Sequence, residues 1–147
     1  MIHLFKLSMV LVAVFVFSAC AGAQAKIAPP VAGYSAGASQ PGLGLPPTID
    51  AQTLAQVKDL DQVTVIDVRE PSEYEAGHVA GAVLIPTGQV PNRLGEIPTE
   101  GTVIVMCRSG NRSSQVTEYL REQGYTNVHN LDGGILSWQK AGLPVER

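Results

Sequence analysis

The residues best able to do chemistry form one short stretch, Cys107-Arg108-Ser109-Gly110-Asn111-Arg112-Ser113. Gly110 permits backbone angles closed to other residues and Asn111 tolerates the left-handed region. Such a loop can curl so that successive N–H groups point inward as an anion-binding nest. A helix that starts here adds its unpaired N–H groups and positive dipole end, and Arg108 and Arg112 add full charges. Each of these favours a thiolate over a thiol, so the Cys107 pKa is expected to fall below about 8.5. A thiolate attacks sulfur, phosphorus, arsenic or a disulfide. An inert, buried cysteine at a strand end is the plainer alternative, and the loop's composition argues against it.

The elements needed to hold this loop can be read from its flanks. Thr102-Val103-Ile104-Val105-Met106 is a strand of apolar residues that runs straight into Cys107. After the loop, Arg112 to Gln123 carries Val116, Tyr119 and Leu120 on one helical face, and Gly124 ends it. Upstream, Ile49-Asp50 reads as a short strand, Ala51 to Leu60 as a helix and Val63 to Val68 as a buried strand. Pro71 to Tyr74 reads as a helical turn, Ala82 to Ile85 as a strand and Val90 to Leu94 as a brief helix. Asn127 to Leu131 is a last strand and Gly134 to Lys140 a closing helix. Strands alternating with helices predict an α/β domain, a largely parallel sheet with helices on both faces. Ligands bind such sheets at the carboxyl ends of strands, where Cys107 and Asp67 both lie.

The rest of the chain limits what this domain is for. Residues 1–19 combine Lys6 with the apolar run Met9 to Phe17, the order and length of an export signal. Ser18-Ala19-Cys20 resembles the lipidation site of bacterial lipoproteins, although Phe17 stands where that motif usually has Leu. The alternative is ordinary cleavage after Ala23-Gln24-Ala25, removing residues 1–25. The lipoprotein reading is preferred, with Cys20 lipidated and the protein exported to the periplasm or cell envelope. Residues 20–47 are rich in Pro, Gly and Ala, lack acidic residues and are expected to be a flexible linker. Residues 48–147 remain as one folded domain. It carries all thirteen acidic residues against eight basic ones, a net charge of −5, so nucleic acid is an unsuited partner. Under either cleavage Cys107 is the sole thiol of the mature domain.

At this point the residues carry a resemblance. Val65 to Glu70, Glu73-Tyr74, Gly77 to Ala82 and Ile85-Pro86 resemble the first half of a rhodanese domain. Cys107 to Arg112 is similar to that family's active-site loop. Leu131-Asp132-Gly133-Gly134-Ile135, Trp138 and Gly142-Leu143-Pro144 resemble its closing segment. The likeness runs from about Ile49 to Val145. It implies a three-layer α/β/α fold with about five mostly parallel strands and a single-domain sulfurtransferase. The Cys107 thiolate would take a sulfane sulfur from an anionic donor such as thiosulfate and pass it to cyanide or a thiol through a persulfide. Backbone N–H groups from Ser109 to Ser113 would cradle that sulfur, Arg108 would attract the donor and Arg112 would fix the loop. Neither a metal nor an organic cofactor is implied.

Two other functions stay open: a Cys–Arg-loop phosphatase or arsenate reductase, and a sulfur-carrying or binding module without turnover. Four residues separate Cys107 from Arg112, one fewer than in the phosphatases this fold resembles, which favours a smaller cradle. Asp67 is expected to brace the loop, and Arg69 to pair with Glu73. His78 reads as bonded to nearby backbone, His129 has no motif neighbour, and Trp138 reads as core or pocket wall. Nothing in the sequence speaks to oligomeric state.

Overall fold

The computed structural model describes residues 42–147. The expected export segment, Cys20 and the Pro/Gly/Ala-rich stretch up to residue 41 lie outside the described residues. The order is β1 (Thr48–Ile49), α1 (Ala51–Val57), β2 (Val63–Asp67), α2 (Pro71–Glu75) and β3 (Val83–Leu84). Two 3-10 segments follow, Thr87–Asn92 and Leu94–Glu96. The chain then forms β4 (Thr102–Met106), α3 (Asn111–Glu122), β5 (Val128–Leu131) and α4 (Gly134–Lys140). The five strands lie in the order β1-β5-β4-β2-β3 and every pairing is parallel.

All five residues of β4, the central strand, are buried, as a strand covered on both faces requires. Its alternation builds two cores. Ile104 and Met106 pack with Val65, Leu54 of α1, and Ile135 and Trp138 of α4. Val103, Val105 and Cys107 pack with Ile66 and Val68, with Val116 and Leu120 of α3, with Val90 of the first 3-10 segment and with Ile97 just after the second. The result is the expected three-layer α/β/α arrangement with a wholly parallel sheet.

Three local expectations need correction. Helix α1 stops at Val57, and Leu60 sits in the turn that follows, exposed. The brief helix expected over Val90 to Leu94 is instead two 3-10 segments, Thr87–Asn92 with Pro91 inside it and Leu94–Glu96. Residues 42–47, within the linker expected over residues 20–47, make defined contacts with the sheet. Leu43 N–H donates to Thr102 Oγ1 at 2.9 Å, Asn130 N–H donates to Pro47 O at 3.0 Å, and Leu45 packs against the core. These contacts tie Leu43, Leu45 and Pro47 to the sheet and its core, and composition alone does not reveal them.

Candidate active site

Cys107 follows directly on β4, and its side chain is 1% exposed. Gly110 takes φ +91, a left-handed angle that caps α3 and turns its own N–H onto the sulfur, 3.2 Å from Sγ. Ser113, on the first turn of α3, has a single hydroxyl proton within reach of two acceptors, Sγ at 3.4 Å and Gly110 O at 3.1 Å. Burial alone pushes the thiol pKa up. The Ser113 hydroxyl and the N–H groups of Ser113, Ser109 and Gly110 outweigh it, and the net effect is a lowered pKa. The thiolate is therefore favoured mainly by neutral donors. Its attraction to Arg112 is smaller than that between Arg112 and Glu73.

A loop of peptide units has carbonyls as well as N–H groups, and an oxygen turned toward the sulfur would undo the nest. Here α4 deals with two of them. Ile135 N–H donates to Cys107 O at 2.9 Å and Leu136 N–H to Arg108 O at 3.1 Å. Such close approach needs a residue without a side chain. A Cβ on Gly134 would collide with Cys107 O and stand 2.7 Å from the carbonyl carbon of Arg108. The Gly133-Gly134 pair, both at positive φ, is thus part of the site. Its sequence signal is the paired glycine after β5, the strand beside β4, within the segment that resembles the closing part of a rhodanese domain.

The two loop arginines differ sharply. Arg112 makes a two-point ion pair with Glu73 of α2, Nη1 to Oε2 and Nη2 to Oε1, both 2.8 Å. The Arg112 guanidinium holds the Glu73 carboxyl down at about 2. Arg108 is exposed, and among the described residues its side chain makes no hydrogen bond or ion pair. Ser109 and Asn111 are exposed on the rim.

Glu73 therefore pairs with Arg112 and not with Arg69 as expected. Arg69 instead grips Asp67, donating from Nη2 to Oδ2 at 2.6 Å and from Nε to both carboxylate oxygens at 3.0 Å. It also binds the backbone carbonyls of Glu73 and Gly77. Asp67 braces α2 through this pair and does not reach the loop. It pairs in register with Met106, so it lies on the sheet face opposite Cys107. His78 stacks on Tyr74 with ring centroids 3.8 Å apart, and its Nδ1 lies 3.1 Å from Tyr74 O. His129 Nδ1 lies 2.8 Å from Pro46 O, and Trp138 is core, its Nε1–H bonded to Pro144 O.

Comparison with known proteins agrees with this geometry. The family model for the rhodanese-like domain matches residues 50–141. The chain belongs to the rhodanese-like family. It is 42% identical over 98 residues to a sulfurtransferase of Allochromatium vinosum, covering 66% of this chain and 92% of that one. It is 33% identical over 91 residues to the thiosulfate sulfurtransferase GlpE of Pseudoalteromonas translucida, covering 62% and 86%. The putative sulfur carrier protein YrkF of Bacillus subtilis is 34% identical over 93 residues, which cover 63% of this chain and half of that protein. Among solved structures, a rhodanese-related protein from Thermoplasma volcanium matches with a TM-score of 0.62 at 33% identity, over 67% of this chain and 96% of that one. The chain is thus similar both to proteins named as sulfurtransferases and to one named as a putative sulfur carrier.

Proposed function

We propose that this rhodanese-like protein transfers a sulfane sulfur through a persulfide on Cys107. The observation that carries the reading is the ring of donors on Sγ, from Gly110 N–H and the Ser113 hydroxyl, with the loop carbonyls drawn away onto α4. With thiosulfate, the Cys107 thiolate attacks the outer sulfur, the S–S bond of the donor breaks and sulfite leaves with the bonding pair. The new Cys107 persulfide carries its negative charge on the terminal sulfur. Cyanide then attacks that sulfur and leaves as thiocyanate, or a thiolate attacks it and becomes a persulfide, and Cys107 returns as thiolate. This is covalent catalysis that divides one transfer into two. The exposed Arg108 draws in the anionic donor, while Arg112 anchors the start of α3 to α2.

The test is thiosulfate:cyanide transfer, followed by mass spectrometry of the isolated protein. Thiocyanate release and one added sulfur on Cys107 are expected. Phosphatase activity on an aryl phosphate without thiosulfate turnover would overturn the reading. The burial of Cys107 and the resemblance to a putative carrier favour a second reading, a module that holds sulfur without turnover. It would show the added sulfur but no cyanide-dependent release.

We also propose export and membrane attachment through a lipid on Cys20, supported by the apolar run and the small residues before Cys20. Wild type is expected in the membrane fraction and Cys20→Ala in the soluble one. Equal solubility, with both chains beginning at Lys26, would establish the ordinary secretory cleavage.

A further inference from the structure

A guanidinium holds two oxygens of a sulfate, phosphate or carboxylate with its paired terminal N–H groups, and this fork makes arginine suited to oxyanion sites. In this loop the fork of Arg112 is already filled, by the two oxygens of Glu73 at 2.8 Å each. Glu73 is itself held in place. Its Oε2 accepts Glu70 N–H at 3.3 Å, closing a reciprocal cap on α2. Its carbonyl accepts Arg69 Nη1–H, and Arg69 is locked between Asp67 and Gly77 O. With its carboxyl held at about 2, Glu73 stays anionic across the working pH range. Arg112 and Glu73 cancel in charge, which leaves Arg108 as the cation at the loop without an ion pair among the described residues.

We propose that Glu73 is an internal anion that occupies Arg112 and so denies it to substrate oxyanions, making Glu73 the residue that steers the loop from phosphate and arsenate toward a sulfane sulfur. Specificity of this kind is gained by removing a contact the competitor needs. A four-residue spacing between Cys107 and Arg112 and a filled fork act in the same direction, but they are separable. The spacing limits room, whereas Glu73 removes the charge-assisted pair that would hold the oxygens. The proposal rests on the sulfurtransferase reading for the favoured substrate, and on geometry alone for the disfavoured one.

The experiment follows alkylation of Cys107 by iodoacetamide in the full chain, with rising inorganic phosphate or arsenate at constant ionic strength. Glu73→Gln frees the fork, and phosphate should then protect Cys107 at a concentration at least tenfold lower than in wild type. The gain should vanish in Glu73→Gln/Arg112→Gln, and Glu73→Asp, which keeps the carboxylate, should behave like wild type. Protection in Glu73→Gln within twofold of wild type, or a gain that survives loss of Arg112, would overturn the proposal. If Glu73→Gln alone does not fold, the double variant, which removes equal and opposite charges, decides against wild type. Unchanged phosphate protection supports the filled fork, and a loss of severalfold refutes it. Alkylation needs no turnover, so the two readings fail separately. A phosphate effect without sulfur transfer sinks only the enzyme reading, and sulfur transfer without a phosphate effect sinks only this one.

Discussion

Helices α3 and α4 begin in nearly the same way, yet their first turns face opposite tasks. Each follows a parallel strand through a glycine at positive φ, Gly110 before α3 and Gly133 before α4. The start of α3 surrounds a sulfur with donors. The start of α4 spends its N–H groups on two backbone carbonyls of the loop. A nest is therefore made by two operations, aiming amides inward and holding carbonyls outward, and here different helices perform them. The comparison also separates tolerance. Around Gly110 an added Cβ would stand 3.1 Å from Gly133 N, close but short of collision, while on Gly134 it would strike the loop itself.

Removing what the α3 start serves should have the largest effect. Cys107→Ser should reduce thiocyanate release to background while thermal unfolding shifts by little, since the volume change is small and the hydroxyl keeps the Gly110 and Ser113 donors partnered. Retained turnover would break the comparison at its root. Next, Gly134→Ala should destabilise the fold by about 3 kcal/mol or more, combining a strained φ with a backbone collision, and activity should fall with it. Gly110→Ala should cost less stability, about 1–2 kcal/mol, yet lose activity out of proportion, because the left-handed backbone that turns its N–H onto the sulfur is strained for alanine. Urea unfolding beside steady-state kinetics separates the two, and matching ratios of activity to stability would show that the helices do not divide the work.

Smaller effects are expected at the arginines. Arg112→Lys keeps the charge but loses the fork that matches Glu73, so kcat should fall about tenfold or more. Arg108→Lys should leave kcat near wild type and raise KM for thiosulfate a fewfold, since an exposed point charge remains. Equal behaviour in kinetics at fixed ionic strength would remove the division of roles.

The smallest effect is one of pH. The lowered Cys107 pKa means that folding favours the thiolate, so this contribution to stability is present above the ordinary thiol value and is lost as pH falls through the lowered one. Relative to Cys107→Ser, wild type should lose stability along that descent. Its alkylation rate should stay level until the lowered value and then drop. An alkylation profile that tracks a free thiol would show that the donors on Sγ do not favour the thiolate.

Much of this arrangement was legible from local pattern. The run Thr102–Met106 can only be a buried strand, and a Gly–Asn pair after Cys107 announces a tight turn into a helix. What was not legible depends on residues far apart in the chain. Glu73 lies 39 positions from Arg112, and four residues from Arg69 on an expected helical turn, so the nearer partner looked better. The strand alternation that sends Asp67 to the face away from Cys107 was implicit in the sequence, but only the register with Met106 makes it visible. The clamp from α4 is not legible in the sequence, because backbone amides bonding backbone carbonyls leave no side-chain signature beyond the glycines that permit it.

The chain's path at β1 has a consequence of orientation. Because every strand is parallel, all carboxyl ends share one pole, and the Cys107 loop sits there. Residues 42–47 enter against Thr102 and Asn130, with Thr102 the first residue of β4. Five residues of β4, about 16 Å at a strand's rise, separate that entry from the sulfur. The described chain therefore begins at the pole opposite the Cys107 loop, and residues 42–47 leave the carboxyl ends of the strands uncovered.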